Sequence, residues 1–484
     1  MALLGNLTGS SHLNFQDSKV FYNGVATTSM RFDDGDTVNL NLTSSQAPTS
    51  TALATFSCWV KRGHLGSAYS IFGTNGSGTS GDNASWIAFG ADNTLDFANV
   101  GGGAYTGRQR TTMKFRDTSA WYHIVVRIDL ANSTVSNRVR IYVNGILAES
   151  AFVRDSGAPA EWASNGAVQL TTAVASARIG AIGYATANPY DGYLADVNLV
   201  DGASLAPASF GEDKNGVWIP IAPAVSEYGN CGFRLQFLLK GTAQDSAGMG
   251  ADTSGIVASD CAMPDSPENN FCTMNPLDTV GTIVSSEGNL EIDSVGDNEN
   301  INGTMAVSTG KWYWEVRADS VNASFIGVKW MDGDNTQKHW ENGHGISYYS
   351  SNGNKYAING GESYGDAYSS GEIIGLALDM DGQTLTYYNE GASQGAIDFS
   401  SRSEYTLLAP ALSSAQNSSA MTMNFGADST FAGTETATSN ADENGYGTFN
   451  MAVPSGYLAL CSANLPEPTI GANSLTQADD HFNT

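Results

Sequence analysis

YDGYLADVNLVD, residues 190–201, is the stretch on which the fold turns. Tyr193, Ala195, Val197 and Leu199 fall on one face at a period of two, and Leu194, Asp196, Asn198 and Val200 on the other, the pattern of a half-buried β-strand. N-terminal to it lie many short strand-like runs and no long amphipathic helix. C-terminal to it comes a proline-rich handover, VWIPIAP at 217–223, followed by strands of a different pattern. The stretch is therefore expected to close one β-sandwich. Asp191, Asp196 and Asp201, five residues apart, alternate between faces and read as edge and turn residues rather than ligands.

A chain of 484 residues is too long for one ordinary core, since single cores seldom exceed about 250–300 residues, so two or three domains are expected. Hydrophobic residues make up 41% and charged ones only 15%, with 54 glycines, a balance that suits short strands joined by turns. The expected class is all-β, two antiparallel β-sandwiches in series. A net charge of -27 argues against a basic footprint for nucleic acid or an anionic membrane. Neutral, cationic or metal-bridged partners remain. The charge is uneven: residues 1–240 carry 16 Lys and Arg against 18 Asp and Glu, and residues 241–484 carry 6 against 31. Cys58, Cys231, Cys261, Cys272 and Cys461 are odd in number and lack a CxxC pair, so they read as small buried hydrophobes rather than a zinc ribbon or disulfide framework. The N-terminal MALLGNLTGSS has no charged region followed by an apolar run, and no eighteen consecutive residues are apolar, so neither a secretory signal nor membrane insertion is expected.

Residues 1–27 are polar and read as an arm of the kind that docks on a neighbouring subunit, so a homo-oligomer is expected. From residue 28, strand signals arrive at hairpin spacing: SMRF (29–32), ATFSCWV (54–60), SWIAF (85–89) and TLDF (94–97), with Asp34-Gly35 and Asn75-Gly76 among the turns. The clearest unit is AWYHIVVRID (120–129) followed by NRVRIYVNGI (137–146). Val139, Ile141 and Val143 face one way, Arg138, Arg140 and Tyr142 the other, and Asn144-Gly145 supplies the positive φ values of a type I′ turn. With FSCWVKRG (56–63) and DGYLADVNLVDGASL (191–205), this order resembles the laminin-G-like branch of the concanavalin A-like lectin/glucanase sandwiches over residues 28–210.

Residues 211–285 read as a connector holding five prolines, one apolar strand (CGFRLQFLL, 231–239) and DSPENNFCTMNPL (265–277). Residues 286–462 form the second sandwich. In GKWYWEV (310–316), Trp312, Trp314 and Val316 share one face, and Tyr313 and Glu315 share the other. With EIIGLALD (372–379), QTLTYYN (383–389), LLAPAL (407–412) and MTMNFG (421–426), the order is similar to the SPRY pattern. Residues 463–484 are a polar tail. The succession of the two domains with these joining segments resembles a group of large structural proteins of marine phages. That resemblance implies a non-enzymatic virion surface protein assembled in the host cytoplasm, a tail fibre or adhesin that binds host-surface glycan or protein through sandwich loops. A capsid decoration is the alternative, and the partners are other virion proteins.

The residues allow other chemistries to be weighed. Glu291-Ile-Asp293 begins the carboxylate strand that a retaining glycosidase needs, but Val295 and Gly296 follow and Asp297 lies beyond them, so a polysaccharide depolymerase is a second alternative and a cellular adhesin a third. Six histidines are present: His12, His64, His123, His339, His344 and His481. His123, mid-strand, reads as a core or interface histidine, and His339 and His344 do not have helical metal-pair spacing. No cofactor is expected except calcium. Asp332, Asp334 and Asn335, or the Asp33-Asp34-Gly35-Asp36 run, offer the oxygens it prefers, although each lacks a distal bidentate Glu, and each also reads as a plain β-turn. For ligand binding the candidates are His339, Trp340, Tyr364, Asp366 and Tyr368, in loops 331–345 and 360–371, where aromatic faces and carboxylates suit sugar rings or peptides. The alternative is that these aromatics pad the sandwich end.

Overall fold

Gly192–Asp201 lies in the middle of its sheet, and all ten of its residues are buried. A computed structural model describes residues 21–35, 39–42, 46–75, 82–153, 159, 161–171, 176–182, 188–238, 251–252, 260–334, 336–341, 343–357 and 360–465. In it, Gly192–Asp201 pairs antiparallel with Leu53–Arg62 on one side. On the other side it pairs with Ser29–Phe32 through residues 192–194 and with Phe233–Leu235 through residues 197–199. The expected alternation breaks once: the register shifts between Ala195 and Asn198, with Asp196 at φ 41°. A bulge of this kind exchanges the faces of everything that follows. Leu194, Val197 and Leu199 therefore point into the inter-sheet core, while Tyr193 and Val200 point out.

The outer face is buried because other chain segments cover it. Val200 packs with Val125 and Phe210 beneath Tyr228, and Tyr193 joins a cluster shared with the second sandwich. This corrects the reading of the three aspartates as edge residues. Asp201 is 2% exposed and accepts the N–H groups of Thr49 (2.7 Å), Ser50 (3.0 Å) and Cys231 (3.1 Å). Asp196 pairs with Arg234 at 2.8 Å.

The first sheet runs in the order Ile146–Leu147, Val139–Val143, Trp121–Asp129, Leu53–Arg62, Gly192–Asp201, Ser29–Phe32, Cys261–Met263. The facing sheet runs Ser150–Phe152, Ala104–Lys114, Thr94–Gly101, Ala84–Phe89, Tyr69–Asn75, Ser176–Ile179, Leu40–Leu42, Ala251–Asp252. Phe56, Phe72, Phe97 and Trp162 are among the side chains that fill the space between them. In the second sandwich one sheet runs Met274–Val280, Glu299–Gly303, Leu408–Ser414, Ser324–Trp330, Gly345–Tyr349, Lys355–Tyr356, Gly361–Glu362. Its partner runs Ile283–Ser286, Glu291–Ser294, Ser419–Asn424, Lys311–Ser320, Ile373–Asp379, Thr384–Asn389, Ala392–Asp398, and Trp312, Trp314 and Val316 face inward as their alternation requires. The fold is all-β, two antiparallel sandwiches in series. The stretch read as a connector supplies strands to both. All five cysteines are buried, as their reading as small hydrophobes requires. Among the described residues no helix is long and apolar enough to cross a membrane.

The two sandwiches meet in a buried seam. Tyr193 and Met263 pack there with Phe271, Tyr313, Ala377, Phe449 and Cys461. Buried charges cross it as well. Arg31, 1% exposed, reaches Asp260 (2.8 Å), Glu287 (2.8 Å) and Asp428 (3.2 Å). Lys61 Nζ meets Asp265 Oδ2 (2.7 Å), Asn270 Oδ1 (2.7 Å) and the Phe271 carbonyl (3.0 Å).

Candidate functional site

The residues expected to form a binding face divide between two places. The loop after Trp330 folds back over the outer face of its sheet: Lys329 Nζ donates to the Gln337 carbonyl and the His339 N–H to Asn300 Oδ1. Phe325 alternates with the core residues Ile326 and Val328, so its ring lies on this outer face. It stacks on Trp340 (centroids 5.0 Å apart, planes at 12°) and on Tyr349 (4.4 Å, 16°), and Tyr356 meets it edge-on at 5.2 Å. Trp340, Tyr349 and Tyr356 are half-buried, which leaves an aromatic platform at the surface. Such faces can stack on sugar rings or on the side chains of a peptide.

His339 is not part of that platform. It is fully buried, with Nδ1 2.8 Å from Asn300 Oδ1 and 2.9 Å from Ser413 Oγ, and burial pushes its pKa down to about 3. It fastens the loop to the sheet as a neutral imidazole. Tyr364, Asp366 and Tyr368 lie elsewhere, at the end of the inter-sheet core, where Tyr348 gathers Tyr364, Tyr368 and Tyr387 at 5.1–5.6 Å. Tyr368 is 2% exposed and donates to the Ser324 carbonyl at 2.9 Å, so it is a core residue and not a ligand contact. The half-buried Tyr364 donates to the Gly395 carbonyl, and Asp366, exposed, accepts at its own carbonyl from Tyr348.

The carboxylates proposed for calcium are engaged locally. Asp332 Oδ2 accepts from Thr406 Oγ1 at 3.0 Å, and Asp334 Oδ1 accepts from Thr336 N (2.9 Å) and Oγ1 (2.6 Å). Asn335 and Asp36 lie outside the described residues. On Glu291–Ser294, Glu291 and Asp293 share a face, as their spacing requires. Burial and then their acidic neighbours push both pKa values up, and the third carboxylate beside them is Asp319, while Asp297 turns away to accept the Asn417 N–H at 2.9 Å. His123 is a core histidine. Trp218 Nε1–H donates to its Nδ1 at 2.9 Å, so Nε2 carries the hydrogen and donates to Ser57 Oγ at 2.8 Å, and burial pushes the ring down to about 3.

A different cluster sits at the seam. Asp34, His64 and Asp191 bring one ligating atom each to within 4.8 Å of one another. The antiparallel pairing of Arg62 with Gly192 sets Gly63 and His64 against Asp191. Gly63 is required there, because a Cβ at that position would lie 1.6 Å from Asp191 Oδ1. Asp191 Oδ1 accepts the His64 backbone N–H at 2.8 Å, and Oδ2 is buried with no hydrogen-bond donor among the described residues. His64 Nε2 meets the Ser285 carbonyl of the second sandwich, and Nδ1 faces Asp34 Oδ2 at 3.5 Å and Asp191 Oδ2 at 3.8 Å. Burial opposes charge on His64, but Asp34, Asp191 and the Ser285 carbonyl outweigh it and raise its pKa to about 9, while burial pushes Asp191 up to about 7.

Over residues 33–207 the sequence matches the concanavalin A-like lectin/glucanases superfamily, and over residues 311–428 it matches the SPRY domain. The chain carries a concanavalin A-like domain followed by a SPRY domain. Among solved structures, the SPRY domain of human HERC1 is similar at 17% identity, covering 31% of this chain and 96% of that one, with a TM-score of 0.28. The TRIM65 PSpry domain is similar at 16% identity, covering 32% and 92%, with a TM-score of 0.27. No curated protein matches the chain.

Both folds are typical of binding and adhesion proteins. In the SPRY domain the aromatic platform lies on the outer face of a sheet. Phe325 and Tyr349 announce it by their alternation, but Trp340 joins them only because its loop folds back. In the concanavalin A-like domain, sequence reasoning passed over His64 and dismissed Asp191. The signal was the pairing of KRGH at the end of one strand with YDG at the start of another, which alternation within either strand does not reveal.

Proposed function

We propose that the chain is a non-enzymatic surface protein of a phage virion, a tail fibre or adhesin that binds host-surface glycan or protein. The observation that carries this reading is the serial pair of binding folds joined through a buried seam, with the Trp340, Tyr349 and Tyr356 platform presented on the acidic SPRY domain. A stiff two-domain unit of this kind suits a protein that holds a recognition face away from its attachment point. The near-neutral concanavalin A-like domain is the better docking platform for other virion proteins, and a homo-oligomer presents several faces at once.

The reading is tested by binding of the full chain to isolated host-surface glycan and to host cells, beside the Trp340→Ala/Tyr356→Ala double variant. Binding that falls at least tenfold in the variant supports it. Binding unchanged by the substitution removes the platform, and a gene lying outside a block of phage structural genes removes the virion assignment. One observation favours a depolymerase as the second reading: Glu291, Asp293 and Asp319 lie together with raised pKa values on the first two. Reducing-end release from glycan that disappears in Glu291→Gln would select it.

A further inference from the structure

We propose that Asp34, His64 and Asp191 form a binding site for a divalent first-row transition cation, best suited to Zn2+, at the seam between the two domains. The Ser285 carbonyl can only accept a hydrogen bond, so the His64 Nε2 facing it carries the hydrogen. Nδ1 then points at two carboxylate oxygens, Asp34 Oδ2 at 3.5 Å and Asp191 Oδ2 at 3.8 Å. A bare lone pair facing two anions is repulsive, so a cation belongs between them.

A proton on Nδ1 supplies the charge but not the geometry. Both gaps exceed the 2.7–3.2 Å or so of an N–H···O bond, and Asp191 Oδ2, on a side chain that is 0% exposed, is left without a donor among the described residues. A tetrahedral zinc with bonds of about 2.0–2.1 Å holds its ligands about 3.3 Å apart, so the two nitrogen–oxygen spacings close on it with shifts of about half an ångström or less, and the two carboxylate oxygens, within 4.8 Å of each other, draw together about the ion. Calcium fits poorly, because it seeks six to eight oxygens and one of the three donors here is an imidazole nitrogen. The Ser285 carbonyl acts on the far ring nitrogen as the outer partner that fixes tautomer and orientation of a metal-bound histidine. Gly63 admits the Asp191 carboxylate. Asp34 and His64 are partly exposed, which gives the ion a route in and leaves room for water in a fourth position.

All three ligands belong to the concanavalin A-like domain, while the outer partner belongs to the strand Ile283–Ser286 of the next sandwich. Binding the ion therefore tightens the seam by fixing the ring that spans it.

The test uses the full chain, stripped with chelator and titrated calorimetrically with Zn2+, with Ca2+ as control. The expected result is one Zn2+ per chain, a higher melting temperature with Zn2+, and no effect of Ca2+ at the same concentration. His64→Gln and Asp191→Asn should each weaken binding at least tenfold. Asp34→Asn, at a side chain that is 31% exposed, guards against a folding failure in the other two and should weaken binding as well. Co2+ should give the intense visible bands of a four-coordinate site in the wild type and lose them in His64→Gln. No Zn2+ binding by the wild type, binding as tight as the wild type's in both Asp34→Asn and His64→Gln, or equal stabilisation by Ca2+ would overturn the proposal.

Discussion

Arg31→Met is expected to uncouple the two domains. The guanidinium is 1% exposed, sits on a strand of the first sandwich, and is shared by Asp260 and by Glu287 and Asp428 of the second. Burial works against the charge on Asp428, but Arg31 and the N–H donors of Thr430 and Ala432 outweigh it and hold its pKa below the usual carboxylate range. Methionine fills much of the volume and removes the charge, so the carboxylates that converge on Arg31 lose a common counter-ion inside the seam. Breaking a buried pair from one side costs about 3–5 kcal/mol, because the remaining charge is left desolvated. At about 2–4 °C per kcal/mol for a domain of this size, the melting temperature of the seam should fall on the order of 10 °C. Scanning calorimetry reads this directly: the wild type should melt in one coupled transition and Arg31→Met in two. The Arg31→Met/Asp428→Asn double variant should recover part of the loss, since it relieves one of the stranded carboxylates. If Arg31→Met melts as the wild type does, in one transition at the same temperature, the charges at the seam do not hold the domains together.

Three further outcomes follow from the same kind of reasoning. Glu315, fully buried, accepts from the Asn450 N–H (2.8 Å), the Met451 N–H (2.7 Å), Asn424 Nδ2 (3.1 Å) and the Tyr313 hydroxyl (3.2 Å), so in Glu315→Gln either orientation of the amide sets its NH2 against a donor. The cost should be about 1–3 kcal/mol in urea unfolding. His123 and His339 are both held down to about 3, whereas an unfolded histidine titrates near 6.5. Between those values the unfolded chain binds protons that the folded chain does not, so their contribution is complete above pH 6.5 and is lost as the pH falls toward 3. Substituting His339→Gln should flatten the stability-against-pH slope in that window by up to about 1.4 kcal/mol per pH unit, measured by urea unfolding at a series of pH values. Gly63→Ala should displace the Asp191 carboxylate, lower the melting temperature by several degrees and abolish any Zn2+-dependent stabilisation, because the added Cβ has no room beside Asp191 Oδ1.

The sequence alone determined the local elements. Period-two alternation marked Val139–Val143 and Lys311–Ser320, whose inward and outward residues lie where the pattern put them. The dipeptide Asn144-Gly145 marked a turn whose φ values, 48° and 78°, are positive as that turn requires. These are short-range signals, because each residue's face depends only on its neighbours along the strand. Tertiary structure decided the rest. Gly192–Asp201 reads as a half-buried closing strand until Phe210, Tyr228 and the second sandwich cover its outer face, and its phase changes at Asp196 through a bulge that alternation does not encode. His339 and Tyr368 read as loop residues until one loop folds onto a sheet and the other closes a core. Arg31 and Asp428 lie 397 positions apart, and Asp34 and Asp191 meet His64 only once strand pairing has set the register. Which strands become neighbours, and what then covers them, is fixed by burying whole faces against distant parts of the chain, and no window of sequence contains that information.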